Sequence, residues 1–404
     1  MARQNHGPMA TRDENRVTFF ARTNFRNEEK AFGIRQADRR AHMYLIGKTG
    51  TGKSTLLATM IRQDIAAGRG LALLDPHGDL VEKVLAGIPK SRMKEVIYFN
   101  APDASRPLGF NPLERVPPLK RSLAASGLLE VFKMIWADSW GPRLEHILRN
   151  ALLALVEQPQ ATLADILRLL DDRAFRKLAA SRVASPQVRN FWLREYESYP
   201  ANFRAEAIAP IQNKAGAFLA DPLLNRILTQ PRSTFNLREV MDDNKILLVN
   251  LAKGKIGGDT AALLGALLVA RIGLAAVSRA DLPEEGRRDF YLYLDEFHSF
   301  TTLSLANMLS ELRKYRVGMV LAHQYLSQLD LQVRDAILGN VGTTICFRVG
   351  LADAEILENE FRPEFSALNL TSLPNYHIYL RLMVDGVVSK PFSAKTLMLT
   401  NRVI

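Results

Sequence analysis

GKTGTGKS, Gly47 to Ser54, is the stretch that decides how this chain folds. It meets G-x-x-x-x-G-K-[ST] at every fixed position, through Gly47, Gly52, Lys53 and Ser54. His42 to Ile46 (HMYLI) before it reads as a short buried strand, and Thr55 to Ile65 (TLLATMIRQDI) after it carries apolar side chains at helical spacing. Between strand and helix, glycines let the loop curl until successive backbone N–H groups converge on a phosphate. In this chain the loop runs through Lys48, Thr49, Gly50, Thr51 and Gly52, with the partial positive charge of the helix N-terminus behind it. Lys53 then reaches the β- and γ-phosphates, and the Ser54 hydroxyl holds Mg²⁺. A chance glycine-rich turn would lack these flanks. The motif predicts a bound nucleoside triphosphate.

With 404 residues, 47% hydrophobic and 24% charged, the chain has enough apolar mass for a large core and a second domain, which excludes wholesale disorder. Its single cysteine, Cys346, excludes an intramolecular disulfide framework and a multi-cysteine zinc site, and suits a reducing cytoplasm. The excess of 53 basic over 42 acidic residues, net +11, suggests an anionic partner such as DNA. MARQNHGPMA at the start has no apolar h-region, so no secretory signal is expected, and localisation is expected to be cytoplasmic, with any membrane recruitment supplied by a partner. Thr260 to Val277 (TAALLGALLVARIGLAAV) is apolar enough to resemble a membrane span. Arg271 lies inside it, however, and a central arginine costs about 2.5–3.5 kcal/mol on insertion scales. A helix apolar nearly all round is expected to be a core helix packed on a sheet.

The expected fold is α/β: a core with a mainly parallel sheet, interrupted by an inserted all-helical domain. Residues 1–40 read as a basic arm carrying Arg3, Arg12, Arg16, Arg22, Arg26, Arg35, Arg39 and Arg40, with only Val17 to Phe20 strand-like. Such an arm is either solvated or packed on a neighbouring subunit or nucleic acid. Residues 41–115 alternate strands and helices, with strands at Gly70 to Asp75 and Glu95 to Phe99, which implies a parallel sheet. PHGD, Pro76 to Asp79, follows a strand end, where α/β proteins place ligands. Asp75 and Asp79 there either approach a metal-bound water or belong to an Asp-Pro turn. Residues 116–235 lose the strand signal and hold all three tryptophans, Trp136, Trp140 and Trp192. Gln187 to Lys214 interleaves arginines with aromatics. That pattern fits either an amphipathic helix on its neighbour or a nucleic-acid surface. From 236 to 404 the α/β pattern resumes, with strands at Lys245 to Asn250, Asp289 to Asp295, Val317 to His323, Thr343 to Val349 and Tyr376 to Met383.

Whether a bound triphosphate is hydrolysed depends on a second signal. DFYLYLDEF, Asp289 to Phe297, places Asp295 and Glu296 at the end of an apolar strand, where unpaired charge is normally excluded. Asp295 suits holding the Mg²⁺ hydration shell opposite Ser54, and Glu296 suits accepting a proton from the attacking water. Gln324, directly after VGMVLAH, can orient that water or sense the γ-phosphate, or simply bond a nearby backbone group. Arg313 closes a helix of about Leu303 to Lys314. The helix dipole favours a cation there, and a guanidinium at a subunit edge is also what an arginine finger acting in trans requires. Arg348, at the end of TTICFRV, is a weaker candidate for the same trans role.

GIRQADRRAHMYLIGKTGTGKSTLL (Gly33 to Leu57), LLDPHGD (Leu73 to Asp79), YLYLDEFHSF (Tyr291 to Phe300), ELRKYRVGMVLAHQYLSQL (Glu311 to Leu329) and LPNYHIYLRLMVDG (Leu373 to Gly386) together resemble the HerA/FtsK superfamily of DNA-pumping ATPases. The nearest likeness is to TraD/TraG-type coupling proteins of conjugation and type IV secretion. The resemblance spans most of residues 30–395. It implies a RecA-like P-loop core, a ring commonly of six subunits with ATP sites between them, and DNA in the central channel. On matching positions it assigns Lys53, Ser54 and Thr55 to phosphates and metal, Asp295 and Glu296 to the Walker B role, Gln324 to a sensor and Arg313 to the trans finger. Neither the transmembrane helices of membrane-anchored coupling proteins, nor a HerA-type β-barrel, nor an FtsK-like winged helix is recognisable. The expectation is a bare motor whose anchor or specificity module comes from another protein.

In such a ring, channel loops should be short, basic and flexible. Lys253 and Lys255, in KGKIGG (Lys253 to Gly258), fit that description, with sequence-independent phosphate contacts, or belong to an ordinary surface loop. The leading functional expectation is an ATP- and Mg²⁺-dependent, ring-forming DNA translocase. The rivals are a nucleotide-gated assembly platform for a partner nuclease or relaxase, and a protein-secretion ATPase.

Overall fold

The computed structural model describes residues 14–24, 29–103, 105–106, 108–114 and 116–398. Arg3, Arg12 and Arg26 of the expected arm lie outside them. Short apolar runs bounded by turns form the strands β1 (Val17–Thr23), β2 (Ala31–Arg35), β3 (Met43–Ile46), β4 (Gly70–Asp75), β5 (Val96–Asn100), β6 (Ile246–Asn250), β7 (Phe290–Leu294), β8 (Val317–His323), β9 (Thr343–Cys346) and β10 (His377–Arg381). A two-stranded hairpin of β11 (Met383–Val384) and β12 (Val387–Val388) precedes β13 (Phe392–Thr396). Eleven of these strands make one sheet in the order β2-β1-β13-β10-β9-β3-β8-β7-β4-β6-β5.

From β9 to β5 every pairing is parallel. The six strands inside that run's β5 edge are buried along their whole length, as expected for a parallel sheet covered on both faces. Alternation divides them between two cores. Tyr44, Ile46, Leu74, Val249 and Leu292 face the helical domain and the helix Gly258–Ser278, whereas Met43, Leu45, Leu73, Leu248 and Tyr293 face the helices Lys53–Ala66 and Asp79–Leu85. Parallel pairing also puts the C-terminal ends of β3, β8, β7, β4 and β6 side by side on one edge, which is where the sequence places its chemistry.

The helix Gly258–Ser278 is apolar because it is interior. The span Gly258–Asp281 is long enough to cross a bilayer and holds an 18-residue window of mean hydropathy 2.0, yet 78% of that window is buried inside the protein. The Arg271 guanidinium inside it donates to the Glu114 carbonyl at 2.7 Å. Helices from Arg121–Ile135 to Pro222–Leu228 form the inserted domain around buried Trp136 and Trp192. The aromatics of 187–214 and Arg204 are internal packing, whereas Arg189 and Arg194 are exposed. Phe191, Trp192 and Tyr196 are buried, and Arg204 lies 5.2 Å from the Tyr196 ring while donating to the Glu197 and Tyr199 carbonyls.

Residues 17–39 correct the expectation of a polar arm. β1 pairs antiparallel with β2 and with β13, closing the far side of the sheet. Thr18, Gln36, Asp38 and Arg39 are buried, while Arg35 stays exposed. Arg39, 1% exposed, makes two bonds to Asp64, 0% exposed, at 2.7 and 2.8 Å, and donates to the Tyr293 hydroxyl at 2.7 Å. Its guanidinium lies 3.6 Å from the centre of the Tyr291 ring. Burial alone would raise the Asp64 carboxyl, but Arg39, with Arg69 bonded at 2.9 Å, holds it below the usual carboxylate range. Arg39→Ala leaves that buried carboxylate short of its main partner and should cost about 3–5 kcal/mol. Arg35→Ala breaks only an exposed pair with Asp385 and should cost within about 1 kcal/mol. Denaturant unfolding of the two variants checks the contrast, and equal effects would contradict it.

Candidate active site

The glycine-rich loop begins where β3 leaves the sheet. Gly47 N–H donates to the His323 carbonyl at 3.4 Å and Lys48 N–H to the Arg348 carbonyl at 2.9 Å, so the ends of the two flanking strands hold the loop. Gly50 and Gly52 lie at φ +77° and +123°, backbone that a side chain disfavours. A Cβ on Gly52 would also stand 2.9 Å from the Tyr376 ring. The helix Lys53–Ala66 starts directly afterwards, with Ser54 exposed and Thr55 half-buried on its first turn. Lys53 is buried and its ammonium donates to the Gly47 and Lys48 carbonyls of its own loop. Burial pulls its pKa below the usual lysine range, against the opposing pull of Glu296 and Asp295.

Two strands away, β7 ends with the Asp295 N–H on the Leu74 carbonyl at 3.1 Å. Glu296 follows in the left-handed region, φ 45°, a conformation uncommon outside glycine and typical of constrained functional positions. From the strand between, Gln324 reaches both sides. Its amide nitrogen donates to Glu296 Oε1 at 2.8 Å, and its oxygen accepts from the Thr49 hydroxyl at 2.9 Å. A continuous polar chain therefore joins the phosphate loop to the carboxylate. The other Glu296 oxygen, Oε2, is buried and without a hydrogen bond.

Asp295 is buried beside Asp75, and burial, then Asp75 and Glu296, push its carboxyl up to about 7. Its charge is disfavoured in the folded chain, so protonation contributes stability. That contribution is complete below the unfolded value of about 3.9 and is lost as pH rises through about 7. Asp295→Asn is neutral throughout and keeps an acceptor for the Glu296 N–H. It should raise the stability of the ligand-free chain by about 2–4 kcal/mol at pH 8, the gain shrinking to less than half of that at pH 5 because it vanishes only below the unfolded value. Thermal melts at the two pH values check this, and a gain independent of pH would contradict it.

Asp75 has a structural occupation. Its carboxylate accepts from the N–H groups of His77 at 2.8 Å, Leu80 at 2.8 Å and Val81 at 3.1 Å, fastening the start of the helix Asp79–Leu85, while Asp79 is exposed. Because β9 runs parallel beside β3, Arg348 emerges next to its own chain's loop, and its guanidinium is held by the Leu373 carbonyl and Asn375 side chain, both at 3.0 Å. Arg313 opens a short 3-10 turn, Arg313–Tyr315, ahead of β8, at the opposite end of that strand from Gln324, and is exposed. KGKIGG is not a loop as expected. Lys253–Ile256 is one helical turn leading through Gly257 into the long helix, with Lys253 and Lys255 exposed. No group of three or more His, Cys, Asp or Glu side chains among the described residues could bind a metal unaided.

The sequence reading missed two histidines. His298 Nδ1 stands 3.5 Å from Glu296 Oε2. His323 is buried, bonds the Tyr44 hydroxyl at 2.6 Å, and is pushed by burial to about 3, which keeps it neutral. The available signal was position, since each is a polar residue closing or just following an otherwise apolar strand.

A family model for the type IV secretion-system coupling protein DNA-binding domain matches residues 32–358. No curated protein matches the chain. Among solved structures it is similar to the bacterial conjugative coupling protein TrwBdeltaN70 in its unbound monoclinic form, at 17% identity and TM-score 0.62, over 96% of this chain and 95% of that one. It is similar to the plasmid coupling protein TrwB in complex with ADP and Mg²⁺, at 18% identity and TM-score 0.62, over 96% of each chain. VirB4 of Thermoanaerobacter pseudethanolicus, at 12% identity and TM-score 0.60, is covered over 96% of its length and covers 95% of this chain. Identities this low speak to the fold alone, which is that of a RecA-like P-loop NTPase carrying an all-α domain. With the family model covering residues 32–358, the chain belongs to the family of type IV secretion-system coupling protein DNA-binding domains.

Proposed function

We propose that this protein is an ATP-hydrolysing, ring-forming motor that moves DNA through a central channel during DNA transfer or mobilisation. The hydrolytic part rests on one observation: the bonded chain Thr49–Gln324–Glu296 ties the phosphate loop to a buried carboxylate. The DNA part rests on the family and on the net charge of +11.

Solved relatives are TrwB with a non-hydrolysable ATP analogue and TrwB with ADP and Mg²⁺, and the same ligands are proposed here. The residues present fit them. Gly50 and Gly52 leave the loop backbone bare, and the Lys53 ammonium has only loop carbonyls for partners. The backbone N–H groups of 47–55 and Lys53 would cradle the phosphates, and Ser54 with Asp295 would hold Mg²⁺. Bound Mg²⁺ would neutralise charge on the β- and γ-oxygens. Glu296 accepts the proton of the attacking water, and Gln324 fixes the direction of that carboxylate. Arg313, at the far end of β8, suits a finger reaching the γ-phosphate of a neighbouring subunit in a ring of six, and Lys253 and Lys255 suit backbone contact with DNA.

Displacement of a third strand from triplex DNA tests the motor directly. ATP with Mg²⁺ should drive displacement by the wild-type protein, and a non-hydrolysable analogue should not. Turnover of ATP without displacement would favour a nucleotide-gated platform or a protein-secretion ATPase.

A further inference from the structure

Glu296 is held on one side only by the groups assigned above. Gln324 takes Oε1, and Oε2 is buried and unbonded. Facing Oε2 at 3.5 Å is His298 Nδ1, which is likewise buried and without a hydrogen bond. Two complementary polar atoms left unsatisfied a few tenths of an ångström beyond bonding distance are unusual, because buried polar groups are normally paired.

The imidazole's other nitrogen fixes which of the two carries the proton. Gln328 presents its amide nitrogen to His298 Nε2 at 3.3 Å, since its oxygen is taken by the Tyr325 N–H at 3.2 Å. The Ser299 hydroxyl, 3.4 Å from the same nitrogen, can also donate to it, so Nε2 takes the acceptor role and the single N–H of a neutral ring lies on Nδ1, the nitrogen nearest Glu296 Oε2. Burial holds His298 below the ordinary histidine pKa against the opposing pull of Glu296, with Lys253 and His77 adding to the lowering, so the neutral ring is the resting form. Gln324 is oriented by the same logic, its oxygen being taken by Thr49.

We infer that His298 is a positioning residue for Glu296, its Nδ1–H closing onto Oε2 so that the catalytic carboxylate is gripped at both oxygens when the site works. This deepens the hydrolytic reading and rests on it. Gln324 ties Glu296 to the phosphate loop, and His298 ties it to the turn 325–328. Together they hold a backbone-strained residue in one orientation towards the attacking water.

Steady-state ATPase kinetics of His298→Ala and His298→Asn test the inference. The alanine variant should lose roughly tenfold in kcat with KM for ATP within about twofold, because the grip acts on the base and not on nucleotide binding. Asparagine places an amide N–H close to where Nδ1 stands and should recover most of the loss. In a Glu296→Gln background His298→Ala should add no further decrease. If the alanine variant fails to fold, His298→Phe, which keeps a ring without nitrogens, carries the same test. Wild-type kcat in the alanine or phenylalanine variant would overturn the inference while leaving hydrolysis standing, and so would an equal loss in alanine and asparagine. A wild-type protein without ATP turnover would overturn the hydrolytic reading beneath it.

Discussion

Lys53→Ala should abolish ATP turnover, with a loss of at least about 10²–10³-fold in kcat/KM. The ammonium is buried beneath the loop, with Asp295 and Glu296 as the acids acting on it, and its hydrogen bonds go to the loop's own carbonyls. Those carbonyls are weak partners for a full charge, so a triphosphate entering the loop would take over the ammonium. Alanine removes the cation that favours phosphate there and leaves the acids facing the phosphates uncompensated. Both binding and chemistry should fall, which an ATPase assay together with nucleotide-binding titration would record. Wild-type turnover in this variant would remove the phosphate loop from the mechanism.

Glu296→Gln should lose turnover by about 10²–10⁴-fold while still binding ATP. The replacing amide has nearly the same shape, and its oxygen can still accept from Gln324, so the chain to Thr49 survives. What disappears is the basic oxygen for the water's proton. The two variants therefore separate. Lys53→Ala weakens binding and chemistry together, whereas Glu296→Gln stops chemistry and should trap the ATP-bound assembly. Turnover at the wild-type rate in Glu296→Gln would show that another group is the base.

The phosphate loop was legible because its spelling is its chemistry, and Asp295 and Glu296 because acids seldom end a buried strand. Gln324 was legible as the residue leaving the next strand of the same parallel sheet. Less was visible wherever partners are distant in sequence. β1 is a strand because β13 lies beside it, Ala21 opposite Thr396, and nothing near Ala21 announces that pairing. Arg39 looked like one arginine of a solvated run, and only the fold reveals Asp64 and Tyr293 waiting for it. That Arg348 leaves its strand beside the phosphate loop was not legible, because the adjacency of β9 and β3 follows from strand order, which periodicity does not encode. In KGKIGG the glycines suggested a loop, yet a single helical turn fits between Ala252 and Gly257, the latter at φ +87°. His298 was overlooked because a lone histidine has no spacing to read.

ATPase rate with and without DNA, on protein whose mass in solution is measured with a non-hydrolysable ATP analogue, tests the DNA-motor proposal most directly. A ring whose turnover rises several-fold with DNA is the expected result. A ring that hydrolyses ATP indifferently to DNA would contradict it.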